Sequence, residues 1–220
     1  MDVRRVALAL VVSLLVVAGC AREPRTIRIL SLGDSYTIGQ GVAEMDRWPN
    51  QLGRALEAES GDTVEVSIVA QTGWTTSHLD RGIDTAAPEG PFDLVTLLIG
   101  VNNQFRGLDP EGYRTEFRAL LDRAFGFSSG PVLVVSIPDW GTTPAGGGYD
   151  RAQVALEIDE FNAIAESETR RAGAEWVDIT PISRSDVVGL VAPDQLHPSA
   201  LQYGLWVEEM LPIARDLLDG

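Results

Sequence analysis

A hydroxyl nucleophile needs a base that can take its proton near neutral pH, and histidine is the side chain suited to that. The chain holds two, His78 and His197. His197 stands in Asp194-Gln195-Leu196-His197-Pro198. A carboxylate three residues before an imidazole can fold back in a turn and accept from Nδ1–H. That bond fixes the tautomer, stabilises the imidazolium and leaves Nε2 for a serine. The same spacing suits a helix cap with a satisfied histidine, and the residues alone leave both readings open. His78, in Trp74-Thr75-Thr76-Ser77-His78, reads as a surface or capping residue at the start of a helix.

Two serines compete for the role of nucleophile. Ser35 stands in Gly33-Asp34-Ser35-Tyr36, directly after an apolar run. Ser128 stands in Gly126-Phe127-Ser128-Ser129-Gly130, a G-x-S-x-G pattern. That pattern makes a nucleophile elbow only with a strand before it and a helix after it. Here helical periodicity precedes it and a strand-like run follows. Ser128 is therefore expected on a helix-to-strand turn at the amino end of the strands, with Gly126 near the helix C-cap.

The elements that must position these groups are readable from periodicity. Thr26–Leu32, Thr63–Ala70, Leu94–Ile99, Val132–Ile137 and Glu175–Ile179 are short β-branched, apolar runs. Several are apolar almost throughout, as strands covered on both faces are. Helical spacing fills the gaps at Asn50–Glu59, Glu111–Ala124, Gln153–Ala172 and Leu201–Leu218. Phe117, Leu120, Leu121 and Ala124 are expected on one face of the second, and Leu156, Ile158, Phe161, Ile164 and Ala165 on the third. Strand and helix in alternation predict an α/β fold, a doubly wound five-stranded parallel sheet with helices on both faces.

Ligands of such sheets bind outside the carboxyl ends of the strands. That edge is expected to collect Ser35, Gly73, Asn102 with Asn103, Asp139 with Trp140, and finally Asp194 and His197. The Ser35 and Gly73 N–H groups and the Asn102 amide are candidate donors to an oxyanion. Gly73 as a plain turn glycine and Asn102 as a plain strand-end residue are the simpler alternatives. Trp140, Gly146-Gly147-Gly148 and Tyr149 form either a long surface loop or a mobile lid with aromatic walls. Asp34, Asp194 and His197 could be imagined around a metal. With no H-E-x-x-H and no cysteine pair, none is expected.

Gly33-Asp34-Ser35, Gly73, Gly100-Val101-Asn102 and Asp194-Gln195-Leu196-His197 occur in this order from residue 33 to residue 197. Together they resemble the four blocks of the SGNH, or GDSL-type, hydrolases. The resemblance implies a flavodoxin-like three-layer fold and ester hydrolysis without a cofactor. It implies Ser35 as nucleophile, His197 as base and Asp194 as its orienter. Ser35, Gly73 and Asn102 would form the oxyanion hole. Two positions depart from the usual pattern. Asn103 stands where the third block usually has Asp, which bears on loop geometry more than on catalysis. Tyr36 stands where Leu usually follows the serine.

The chain has 220 residues and a net charge of -15, with 17 basic residues that are all arginine. An acidic surface repels phosphate backbones, so nucleic acid is not an expected partner. Arg4 and Arg5 precede an apolar run from Val6 to Ala18 broken only by Ser13, followed by Gly19 and Cys20. The run suits a signal peptide better than a membrane span. Val17-Ala18-Gly19-Cys20 resembles a bacterial lipoprotein processing site, and Cys20 is the single cysteine. The expected organisation is a signal peptide at 1–19, a lipidated cysteine and tether at 20–26, and one hydrolase domain at 27–220. Its expected partners are a small-molecule, glycan or lipid ester and a membrane reached through lipid on Cys20, with the protein a monomer outside the cytoplasm. A non-catalytic surface lipoprotein binding glycans or proteins, and an acyltransferase using the same residues, are the alternatives.

Overall fold

The computed structural model describes residues 23–220. The expected signal peptide and Cys20 lie outside the described residues. Strands β1 (Thr26–Gly33), β2 (Thr63–Ala70), β3 (Leu94–Leu98), β4 (Val132–Val135) and β5 (Glu175–Val177) form one sheet in the order β2-β1-β3-β4-β5. Every pair is parallel. β3 and β4 are buried at each position, which is why their sequences, LVTLL and VLVV, lack polar alternation. β2 lies at an edge, and its exposure alternates along most of its length. The hydroxyl of Thr96 donates to Ser31 at 2.9 Å, so this polar pair between β3 and β1 is satisfied inside the core.

Helices cover both faces. α2 (Trp48–Ser60) and α8 (Ala200–Asp219) pack together, and α3 (Thr76–Ala86), α5 (Pro110–Phe127) and α6 (Arg151–Ala172) form a second packed group. The smaller helices are α1 (Ser35–Ile38), α4 (Val101–Phe105) and α7 (Thr180–Ser183). The predicted α5 face is buried: Phe117, Leu120, Leu121 and Ala124. α5 runs on to Phe127 with Ser128 as its C-cap, two residues beyond the expected Gly126. On α6, Ile158, Phe161, Ile164 and Ala165 are buried, but Leu156 is 64% exposed. It lies two residues from Ile158, about 200° around the helix, so it cannot share that face.

Three strands stop short of their apolar runs, and the reason is shared. Beyond the last ladder bond, a side chain takes the backbone groups, from a helix at β3 and β4 and from Ser136, just past β4, at β5. The Asn162 side chain accepts from Ile137 N–H at 2.9 Å and donates to Ile137 C=O at 3.0 Å. Tyr113 Oη donates to Ile99 C=O at 3.1 Å. Ile179 N–H donates to Ser136 Oγ at 2.8 Å. The chain thus leaves the sheet at the carboxyl edge while its polar groups stay paired. The strand order reverses direction between β1 and β3, the place where doubly wound sheets open a crevice.

Candidate active site

Ser35 is the first residue of α1, directly after β1. Asp34 caps the helix: its carboxylate accepts from Tyr36 N–H at 3.0 Å. Gly33 is required for packing, since a Cβ there would lie 2.5 Å from Leu98 C=O on the neighbouring strand. Asp34 is fully buried. Burial pushes its carboxyl up to about 7, against the opposing pull of the Tyr36 amide and the Asn102 side chain.

Gly73 adopts φ +79°, a left-handed conformation that disfavours any side chain. Among the described residues, no protein acceptor binds the N–H of Ser35 or of Gly73. Asn102, the second residue of α4, donates through Nδ2 to Trp74 C=O at 2.9 Å and to Asp34 Oδ2 at 3.3 Å. Both amide hydrogens are therefore engaged in the resting protein. The longer bond, to Asp34, is the weaker one to surrender to an oxyanion.

His197 is held by backbone and carboxylate together. Ala192 N–H donates to His197 C=O and Ser199 N–H to Leu190 C=O, each at 2.7 Å, across a short antiparallel bridge. Asp194 Oδ2 lies 2.7 Å from His197 Nδ1, while Oδ1 accepts from the Leu196 and His197 amides at 3.0 Å each. Partial burial works against the Asp194 charge. The two amides and the imidazole outweigh it and hold the carboxyl below its usual value. Gln195 takes a left-handed φ of +65° to make this turn. Its carbonyl accepts from Ala145 N–H at 3.0 Å, tying the turn to the loop after β4.

Ser35, Gly73, Asn102 and His197 line one cleft of about 340 Å³. No Ser35–His197 hydrogen bond is present among the described residues. Such bonds commonly tighten only when substrate is bound.

The far wall is aromatic. Phe105, Trp140 and Tyr149 line the cleft, with Trp140 edge-on to Phe105 at 5.3 Å and to Tyr149 at 4.8 Å between centroids. Trp140 is buried, and its Nε1–H donates to Gln104 Oε1 at 2.8 Å. The segment expected as a surface loop or mobile lid is two 3-10 turns, Trp140–Thr142 and Pro144–Gly148. Asp139 and Thr143 cap them through their own side chains, and Arg184 pairs with Asp139 at 2.8 Å. Of the segment's two aromatic residues, Trp140 is buried and Tyr149 is half exposed.

The other candidates stand apart. His78 Nδ1 is 2.6 Å from Thr75 Oγ1 in a capping box at the start of α3, and does not line the cleft. Ser128 Oγ donates to Pro131 C=O at 3.0 Å on the turn before β4, at the opposite edge of the sheet. Among the described residues no three acidic, histidine or cysteine side chains are grouped to hold a metal ion. Sequence reasoning missed Phe105. It follows Asn102 by three residues, one helical turn, so a search of the same helix face would have found it.

Comparison with known proteins bears on the same residues. A family model described as the GDSL-like Lipase/Acylhydrolase family matches residues 31–205. None of the curated proteins matches the sequence significantly. The fold is similar to that of a lipolytic G-D-S-L family member from Veillonella parvula DSM 2008. The TM-score is 0.72 and the identity 17%, over 87% of this chain and 100% of that one. It is similar to the psychrotrophic esterase EstA from Pseudoalteromonas sp., at TM-score 0.67 and 18% identity, over 88% and 99% of the two chains. A carbohydrate acetylesterase family member from Sinorhizobium meliloti gives TM-score 0.66 and 19% identity, over 88% and 100%. At these identities the likeness is one of fold.

Proposed function

The chain belongs to the GDSL-like lipase/acylhydrolase family and is a serine carboxylic ester hydrolase, and from that premise we propose that it works through an acyl-enzyme formed on Ser35. The observation that carries this reading is the convergence of Ser35, Gly73, Asn102 and the Asp194-held His197 on one cleft. Ser35 Oγ attacks the ester carbonyl carbon as its proton passes to His197 Nε2. Asp194 holds Nδ1–H and stabilises the imidazolium. The negative oxygen is received by the Ser35 and Gly73 N–H groups and by Asn102 Nδ2, which releases Asp34 to do so. The alcohol leaves with the proton from His197. Water, deprotonated by the same imidazole, then frees the acid and restores the serine. The chemistry calls on no cofactor.

The substrate is a small-molecule, glycan or lipid ester whose acyl or aryl group lies against Phe105 and Tyr149. Both rings are about half exposed at the cleft, 53% and 52%, so they have surface to bury. An ester series tests this. Butanoate carries two methylenes more than acetate, each about 0.8 kcal/mol when buried. Replacing Phe105 and Tyr149 together by Ala is therefore expected to reduce the preference for p-nitrophenyl butanoate over acetate by up to about tenfold, through KM. An unchanged ratio would show that the rings do not contact the acyl group.

The enzyme is further proposed to be a monomer held outside the cytoplasm by lipid on Cys20; the tether expected to reach Thr26 ends earlier, since Thr26 already pairs in β1. The reading is supported by the leader sequence. Among the described residues, no helix is long and apolar enough to cross a membrane. Labelled fatty acid should enter the full-length protein in a bacterial host and be lost in Cys20→Ser. Equal labelling of both would place the anchor elsewhere.

A further inference from the structure

We infer that Asn103, Thr76 and Glu116 form a hydrogen-bond chain of fixed polarity that positions the Gly73 side of the oxyanion hole. The inference rests on the reading of Gly73 and Asn102 as oxyanion donors. Glu116 is the group that demands an amide, and not a carboxylate, at position 103.

The segment Gly73–Thr76 is tied to α4 and the residue after it at Gly73, Trp74 and Thr76. Asn102 Nδ2 donates to Trp74 C=O at 2.9 Å, and Arg106 Nη2 to Gly73 C=O at 2.6 Å. Asn103 grips Thr76 twice. Its Oδ1 accepts from Thr76 N–H at 3.0 Å, and its Nδ2 donates to Thr76 Oγ1 at 2.7 Å. Thr76 and Asn103 are both buried, and Glu116 reaches them from the exposed side of α5.

The count of hydrogens then decides the residue. The Thr76 hydroxyl has a single hydrogen, and it goes to Glu116 Oε2. Thr76 Oγ1 must therefore accept whatever Asn103 offers. An ionised carboxylate at 103 has nothing to donate; it would compete with Glu116 for that one hydrogen and set a second negative charge, itself buried, beside the first. The chain runs from amide to hydroxyl to carboxylate. It can run equally well in reverse if the amide and the carboxylate change places. A Gln at 116 would donate to Thr76 Oγ1, and the hydroxyl would turn to a carboxylate at 103. The one departure from the family's usual third block is thus matched by a specific residue on α5.

Losing this chain loosens the first turn of α3, two residues from Trp74 and three from Gly73. The cost falls on the geometry of the Gly73 N–H and of Asn102, which meet the transition state. These are positioning residues, and the expected signature is a loss in kcat with KM retained.

The test is a double-mutant cycle of Asn103→Asp and Glu116→Gln, assayed at pH 8 on p-nitrophenyl acetate. Active sites are counted by fluorophosphonate titration, so that misfolded protein does not enter kcat. Thermal melts accompany each variant. Asn103→Asp is expected to lower kcat per titrated site by about tenfold or more. Glu116→Gln, whose amide oxygen still accepts from Thr76, should lose less. The double variant should recover most of the loss, with a rate above that of Asn103→Asp alone. Wild-type kcat per site in Asn103→Asp, or a double variant no faster than that single one, overturns the inference. A wild-type protein that neither turns over nor titrates would instead overturn the underlying site.

Discussion

Ser35→Ala is expected to lower kcat on p-nitrophenyl acetate by ~10³-fold or more, with the melting temperature unchanged. The chemical part of the argument is that removing the hydroxyl removes the covalent route. The oxyanion donors and the imidazole remain, so a residue of water-mediated hydrolysis should persist above the uncatalysed rate. The structural part is equally specific. Ser35 Oγ has no hydrogen-bond partner among the described residues, so the truncation leaves no protein group unpaired. α1 is capped by the Asp34 carboxylate and by Gly39, and neither contact uses the Ser35 side chain. The loss of rate is therefore not a loss of fold. Ser128→Ala, on the turn before β4, is the matched control and should keep kcat near the wild-type value. Loss of activity in Ser128→Ala with activity retained in Ser35→Ala would reverse the assignment of the two serines.

Asp194→Asn is expected to cost ~10³ to 10⁴-fold in kcat, a loss out of proportion to the removal of one charge. The reason is the tautomer. Asp194 Oδ1 is bound by two backbone N–H groups, from Leu196 and His197, so an amide at this position must keep its oxygen there. Its NH₂ then faces His197 Nδ1, where Asp194 Oδ2 lies at 2.7 Å in the wild type. Nδ1 must become an acceptor, which forces the proton onto Nε2, the nitrogen that has to receive one from serine. The substitution is nearly isosteric, and the antiparallel bridge through Val191 and Pro198 still holds the imidazole in place. A fall of less than about tenfold in kcat would mean that the carboxylate does not set the tautomer.

Much of the site was legible before any coordinates because parallel sheets place their crevices by rule. Ser35, Gly73, Asn102 and His197 each follow an apolar run or precede a terminal helix, and the strand order brings all four to one edge. The same rule removed Ser128, whose motif is intact but whose flanking elements are in the wrong order. What escaped depended on contacts between residues far apart in the chain. Strands 3 to 5 end early because Tyr113, Asn162 and Ser136 take their last backbone groups, and periodicity does not register such partners. The glycine-rich stretch after β4 suggested mobility by composition. Its two 3-10 turns depend on side-chain caps and on an Arg184–Asp139 pair spanning 45 residues, which composition does not show. Asn103 was visible as a departure, but its meaning waited on Glu116, a residue of another helix.

The most direct test of the central claim is covalent. Wild-type protein treated with a fluorophosphonate probe, then digested and mapped by mass spectrometry, should carry one adduct per chain, on Ser35. The adduct should be absent from Ser35→Ala and slowed strongly in Asp194→Asn. An unlabelled wild-type protein, or an adduct on Ser128 or any other serine, would contradict the account.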